Sequence, residues 1–464
     1  MRTAMDLGSK VNARAKPLRE AYGAYNSTRE IGVDEELSYV GRGTPCGEYF
    51  RRFWQPVCLS EHLKDLPKRI RILGEDLVAF RDGSGRVGVL ELHCSHRGTS
   101  LEYGKIQQRG ISCCYHGWQF DVDGTILDTP GEPAGSPIKN RICHGAYPTH
   151  EWMGLVFAYM GPPDKKPAFP VYDAFERPNA EFVHRYRFSP CNWLQVRENE
   201  MDPVHLSFLH TRLFGVQFQP VYGEIPSMEW HETPIGMCYL TVRRWGDNLY
   251  LRVNDAIAPN ICRIAGIDDG EGEVVFDRRG AAMNWVVPVD DTNTLNIGFG
   301  DIDKNLPLEG RDAYTDRMNR AGQYAVGAGD VGQTGEPTYE QRQRAPGDWD
   351  AWVSQGEITK HGREHLGFTD QGVVMYRKLV RDGIQAVAAG RDPKGLLREG
   401  ANAPIMTYCH NTVKRVPKAA TPEADHAQSI AFGRAILKQM LDGTLSKRNV
   451  GAEMAGDFTF PPKD

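Results

Sequence analysis

Cys94-Ser95-His96-Arg97-Gly98 is followed by Cys113-Cys114-Tyr115-His116-Gly117-Trp118, which as spacing is C-x-H-x16-C-x2-H. Paired Cys and His residues at short fixed offsets are what a metal site requires, because two tight loops then deliver thiolates and imidazoles together. On donor type alone, two metals fit. A structural zinc would take all four side chains and make the chain a zinc-stabilised binding protein. A two-iron two-sulfur cluster would place two thiolates on one iron and two imidazoles on the other, and neutral imidazoles raise the reduction potential. The x2 spacing selects Cys113 and leaves Cys114 facing the other side of its strand. Cys143-His144 lacks partner ligands and reads as structural.

Around these loops the chain is rich in short strands and turns. Ile70 and Ile72, then Leu77–Phe80, are apolar runs closed by Arg81-Asp82-Gly83-Ser84-Gly85, and Val87–Leu92 returns as a hairpin partner. A second turn, Asp121-Val122-Asp123-Gly124, follows Trp118-Gln119-Phe120. This predicts a small all-β domain over residues 38–165, preceded by an arm over 1–37. The proline-rich stretch Gly161–Pro167 reads as a linker. Beyond it, residues 166–464 mix strands and helices. Cys238–Trp245 and Met283–Val289 are strand-like, and Asp290–Asn293 is a turn into Leu295–Phe299. Val373, Tyr376, Val380, Ile384 and Val387 recur at helical spacing. Separate runs of strands and helices point to an α+β fold with an antiparallel sheet.

The chain has 464 residues, more than one core usually supports, so two domains are expected. Lys+Arg 55 against Asp+Glu 60 leaves a formal charge of −5, which argues against a nucleic-acid partner. No window is apolar enough for a membrane span, and the polar first residues contain no signal-peptide core. The expected location is the cytoplasm, where the ten cysteines would not form a disulfide framework.

A second constellation reads Glu198-Asn199-Glu200-Met201-Asp202-Pro203-Val204-His205-Leu206-Ser207-Phe208-Leu209-His210. A histidine pair of this spacing is common in a chain with 14 histidines and by itself says little. Asp202-Pro203 is a helix entry, with Asp as cap and Pro in the first turn. His210 then falls about 140° round an ideal helix from His205, so both reach one metal only if the helix is distorted.

His96-Arg97-Gly98, Tyr115-His116-Gly117-Trp118 and the following Gln119–Gly124 resemble the two loops and next strand of Rieske proteins. Cys191-Asn192-Trp193-Leu194-Gln195 through His210 resembles the mononuclear-iron motif of Rieske non-heme iron oxygenases. The branch is that of phthalate dioxygenases and dehydrodivanillate O-demethylases, and the likeness runs from about Val40 to Arg391. The resemblance implies a Rieske domain holding a 2Fe-2S cluster through Cys94, His96, Cys113 and His116. It implies a helix-grip (START-like) catalytic domain in which His205 and His210 bind Fe(II). Asp202 would couple that iron to a cluster histidine of a neighbouring subunit in a homotrimer. It further implies an NAD(P)H-dependent reductase or ferredoxin as electron donor, with dioxygen and a small, carboxylated aromatic substrate to be hydroxylated or O-demethylated.

The third iron ligand departs from the pattern. Family members place an acidic residue in a downstream helix, and Gln355-Gly356 occupies that place here. Glu357 is the expected substitute because it supplies charge, with Gln355 and Asp350 as alternatives. Without that ligand, the chain would be a Rieske electron carrier lacking oxygenase activity. His361-Gly362-Arg363-Glu364-His365 also matches the HxxEH pattern of some zinc peptidases, but Gly362 weakens the helix that pattern needs.

Overall fold

Short alternating strands bounded by glycine turns can close only small sheets, and the N-terminal half consists of three of them. The structure, a computed structural model, describes residues 17–27, 31–173, 180–217, 220–264, 282–303, 333–398 and 404–443. Trp54–Leu59 pairs with Leu155–Tyr159, which pairs with Thr149–Trp152. Lys68–Ile72, Glu75–Arg81, Val87–Glu91 and Ala146–Tyr147 form an antiparallel meander. The hairpin expected around residues 81–85 is present, with Phe80 opposite Gly88. Its turn is built by Asp82, whose Oδ1 accepts from the main-chain N–H groups of Ser84 and Arg86, both at 3.0 Å. The third sheet comprises Lys105–Ile106, Ile111–Ser112, Gln119–Phe120 and Ile126–Asp128. A compact core of Val78, Phe80, Leu90, Leu101, Trp118 and Phe120 lies between the last two sheets and includes Cys94 and Cys113.

Among the described residues, the C-terminal half is built on one eight-stranded antiparallel sheet. Its order is Ala180–Ser189, Asn293–Asp303, Ala282–Asp290, Ile261–Ile264, Asn248–Ile257, Gly236–Trp245, Ser227–Thr233. Asn248–Ile257 shares one edge between two partners: residues 255–257 pair with Ile261–Ile264, and residues 248–253 pair with His410–Arg415. The expected amphipathic helix is Gln371–Ala388, with Val373, Tyr376, Val380, Ile384 and Val387 all buried. A second long helix, Pro422–Leu441, packs so close to the sheet that a Cβ on Gly433 would lie 2.9 Å from Leu240 and Val242. Even-numbered residues of Gly236–Trp245 therefore face that helix and odd-numbered ones face away.

The two halves are fused by apolar contact and by main-chain hydrogen bonds. Leu73 N donates to Pro288 O at 2.9 Å and Gly74 N to Val289 O at 2.8 Å. One hydrophobic cluster runs from Val57 and Phe157 into Trp285 and Val286. The end of the arm is also fixed: Arg381 on the long helix pairs with Asp34 and Glu36, and Trp193 Nε1 donates to Leu37 O at 3.1 Å. Residues 1–16 of the arm lie outside the described residues. Among the described residues, no helix is long and apolar enough to cross a membrane.

Candidate metal centres

The two Cys-His loops close in the same way. Cys94 N donates to Thr99 O (2.9 Å) and Gly98 N to Cys94 O (2.8 Å); Cys113 N donates to Trp118 O (2.8 Å) and Gly117 N to Cys113 O (3.0 Å). Gly98 and Gly117 adopt φ of 76° and 73°, the left-handed region that calls for glycine at the closure of each loop. Cys94 and Cys113 are buried, whereas His96 and His116 are half-buried at the tips with ring centroids 4.6 Å apart. His96 stacks flat on Trp118, also at 4.6 Å. Its Nδ1 is buried without a hydrogen-bond partner, as a nitrogen reserved for a metal would be. Burial, with the Cys113 thiol adding to it, pushes the Cys94 thiol up to about 11, so a thiolate here needs a cation to offset its desolvation. Two buried cysteines beside two half-buried imidazoles are a donor set that would suit a 2Fe-2S cluster held by two thiolates and two histidines. Cys114 and Cys143 are exposed. His144 supports the first loop, with Nδ1 on Ser95 Oγ and Nε2 on Glu91 O, both at 2.9 Å.

The second site solves the angular problem posed by His205 and His210. His205–Ser207 is one α turn that passes directly into a π-helical segment, Phe208–Arg212. A π turn closes i to i+5, here through Leu213 N donating to Phe208 O at 3.1 Å. Residues five apart then share a face, and the two imidazole centroids lie 5.3 Å apart. The helix begins at His205, later than the expected entry. Asp202 instead forms a turn in which its Oδ1 accepts from Val204 N at 2.9 Å. Its side chain is half-buried, and its main-chain carbonyl accepts from His205 Nδ1.

Asp348, the first residue of the helix Asp348–Val353, completes the group. Its Oδ1 lies 2.9 Å from His210 Nε2 and 3.5 Å from His205 Nε2, and the three candidate ligand atoms fall within 4.8 Å of one another. Asn199 Nδ2 donates to the same Oδ1 at 3.2 Å, and Gln333 Nε2 to Oδ2 at 2.5 Å. Each imidazole is held from its far side, His205 Nδ1 by Asp202 O and His210 Nδ1 by Gln217 Oε1 at 2.6 Å. Both Nε2 atoms are thereby presented together, and two imidazoles with one carboxylate are the donor set of a facial iron triad. Burial alone would raise the Asp348 carboxyl, but the His210 hydrogen bond and both histidines hold it well below the usual range. Burial lowers His205, while the Asp348 bond and charge outweigh burial at His210 and raise it.

Glu357 is not brought to this site, and the expectation for the third ligand is corrected. Its side chain is exposed, and its main-chain carbonyl accepts from Asn192 N at 2.8 Å. The acidic helix starts at Asp348 and ends before Gln355-Gly356-Glu357, so those residues lie past its C-terminus, where Gly356 has a φ of 99°. Asp350 accepts from Arg342 Nη1 (2.9 Å) and Gly347 N (3.1 Å), and Gln355 Nε2 donates to Ala351 O at 3.3 Å. The signal that was available is Gly347-Asp348-Trp349-Asp350, two acids at a helix start, of which the first turns inward. The peptidase pattern also dissolves: His361–Arg363 is a single 3-10 turn and Glu364 is extended. Arg377 is bound between Glu198 and Glu364, which makes that cluster an ion-pair network.

Residues 53–144 match the Rieske [2Fe-2S] domain family. The chain is 42% identical over 413 residues to the tert-butanol monooxygenase / tert-amyl alcohol desaturase oxygenase subunit of Aquincola tertiaricarbonis, covering 84% of each protein. This chain is a Rieske-type oxygenase subunit. It is 39% identical to the phenoxybenzoate dioxygenase alpha subunit of Ectopseudomonas oleovorans (84% of this chain, 93% of that protein). It is 32% identical to the phthalate 4,5-dioxygenase oxygenase subunit of Pseudomonas putida (80% and 90%), from the branch its motifs resemble. Among solved structures, the NdmA QL mutant of Pseudomonas putida CBB5 with caffeine shares the fold at a TM-score of 0.56 and 20% identity, over 77% of this chain and 99% of that one. The Rieske oxygenase is thus an α+β enzyme whose cofactors are a Rieske 2Fe-2S cluster and a mononuclear iron. The readings as an electron carrier and as a zinc-stabilised binding protein give way to it.

Proposed function

We propose that Cys94, His96, Cys113 and His116 hold the cluster and that His205, His210 and Asp348 hold the iron of an oxygenase acting on a carboxylated aromatic compound. The observation that carries the iron assignment is the convergence of His205, His210 and Asp348 through the π-helical turn. When bound, the cluster supplies single electrons and the iron supplies dioxygen activation. The chain's own residues do the rest. Asp202 and Gln217 orient the imidazoles, and Asn199 and Gln333 fix the carboxylate. In this reading Asp202, half-buried beside His205, would couple the iron to a cluster histidine of a neighbouring subunit in a homotrimer. A reductase drawing on NAD(P)H, or a ferredoxin, is the electron donor, and the carbazole 1,9a-dioxygenase oxygenase has been seen in complex with a ferredoxin.

A buried cationic patch supports the carboxylate. On the sheet face turned away from Pro422–Leu441, Arg243 is fully buried and donates to Glu224 O (3.1 Å), Thr241 Oγ1 (3.3 Å) and Pro203 O (3.2 Å), all neutral. Arg252 flanks the same Tyr222 ring, each guanidinium 5.3 Å from its centroid. Burial pushes Arg243 down to about 10, and the neighbouring Arg252 adds to this. Two neighbouring buried cations, of which Arg243 bonds to the carbonyl of the residue that follows Asp202, favour an anionic substrate group. Phenoxybenzoate and phthalate in the relatives' names are acids of this kind, whereas tert-butanol is not.

Electron paramagnetic resonance of the reduced protein with nitric oxide tests the metals: a rhombic cluster signal plus a high-spin iron–nitrosyl signal is expected, and loss of the nitrosyl signal in Asp348→Ala. Oxygen uptake with an electron donor then tests the substrate class. Benzoate-type acids should stimulate uptake and their neutral amides should not. Uptake with tert-butanol alone would overturn the aromatic reading.

A further inference from the structure

Gln217 lies outside every motif, yet it touches both arms of the iron site. Its Oε1 is 2.6 Å from His210 Nδ1, its Nε2 donates to Pro346 O at 3.2 Å, and its main-chain N–H donates to His210 O at 2.9 Å. Pro346 stands two residues before Asp348. A carbonyl oxygen can only accept, so the amide nitrogen of Gln217 must face Pro346, and the amide oxygen must face His210. His210 Nδ1 therefore carries a hydrogen, which leaves Nε2 as the nitrogen available to a metal. The same side chain bridges the π-helical segment bearing His210 and the loop entering the Asp348 helix, reaching across 129 residues of sequence from Gln217 to Pro346.

We propose that Gln217 is a positioning residue for the iron site, setting the His210 tautomer and tying the histidine segment to the carboxylate. This rests on the iron assignment to His205, His210 and Asp348. His205 is served differently, by a main-chain carbonyl that no side-chain substitution removes. The site thus has one tautomer set by the backbone and one that a side-chain amide sets.

Gln217→Met keeps the length of the side chain and removes both amide bonds; Gln217→Glu keeps an acceptor for His210 Nδ1 but cannot donate to Pro346. Ferrous iron affinity is measured by chelator competition on the full chain, and the symmetry of the iron–nitrosyl resonance is recorded, with the cluster signal as the internal measure of folding. Gln217→Met should bind iron about 10–100-fold more weakly and shift the nitrosyl resonance, while the cluster signal stays parental. Gln217→Glu should recover part of that affinity and no more, because it keeps the acceptor for His210 and loses the tie to Pro346. Parental affinity and resonance in Gln217→Met, or equal losses in both variants, would overturn the proposal. Asp348→Ala run alongside separates the two readings: if it retains parental iron affinity, the site assignment fails first.

Discussion

The cluster loops and the iron site reach metal-ready geometry by opposite routes. Each cluster loop is closed within a few residues by its own main-chain bonds and by a glycine at positive φ, and the two repeat the same pattern. The iron site has no such local closure. It depends on a π-helical turn to align His205 with His210, on Asp348 arriving from 138 residues downstream, and on Asn199, Gln217 and Gln333 to hold them. A locally closed loop can tolerate disturbance elsewhere in the chain. A site assembled from distant segments feels each of them, and its supporting side chains become part of the metal's binding energy.

The largest expected effect breaks the distant site alone. Asp348→Ala should lower iron affinity by more than about 100-fold and abolish substrate-dependent oxygen uptake, with an unchanged cluster signal. Glu357→Gln should stay within about twofold of parent, because a solvated side chain outside the group contributes little. Equal losses in the two variants would restore Glu357 as a candidate ligand.

A middle-sized effect probes the hairpin beneath the cluster loops. Asp82, fully buried as a side chain, accepts from Ser84, Arg86 and Gly110; these bonds outweigh the cost of burial and hold its carboxyl down to about 2. The stability it contributes is present above the ordinary value of 3.8 and is lost as pH falls from there through about 2. Asp82→Asn should therefore destabilise the cluster domain by about 2 kcal/mol at pH 7 and by progressively less below pH 4. Unfolding followed by circular dichroism at pH 7 and below pH 4 measures this. A deficit that does not shrink in acid would mean that shape, and not charge, is what Asp82 supplies.

The smallest effect concerns the choice between adjacent cysteines. Cys114 is exposed while Cys113 is buried, so Cys114→Ser should change stability by less than about 0.5 kcal/mol and leave the cluster spectrum intact. Loss of the reduced-cluster resonance in that variant would reverse the assignment.

How much of this was legible in the sequence follows the same division. The strands around residues 70–92, the sheet strands near 238–245 and 283–299, and the stripe from Val373 to Val387 were readable because periodicity and turn residues act over short spans. The helix Pro422–Leu441 was not singled out; its interior glycine and mixed pattern carry little amphipathic signal, and contact with the sheet stabilises it. The need for a distorted helix between His205 and His210 could be stated from five-residue spacing, but its form as a π turn could not, since alternative backbone hydrogen bonds differ little in energy until packing selects one.

The sequence by itself singled out Cys94, His96, Cys113 and His116, because residue type at spacings that one loop spans carries that signal, whereas His205 and His210 stood out only through the family resemblance of the segment around them. Only the tertiary structure shows that the carboxylate beside those histidines is Asp348, which the sequence reading had not offered, and not Glu357, Gln355 or Asp350. Two residues turn a helical side chain by about 200°, and nine carry it past the helix end. Which carboxylate meets the histidines depends on where that helix begins and how it docks, and packing across the whole domain sets both.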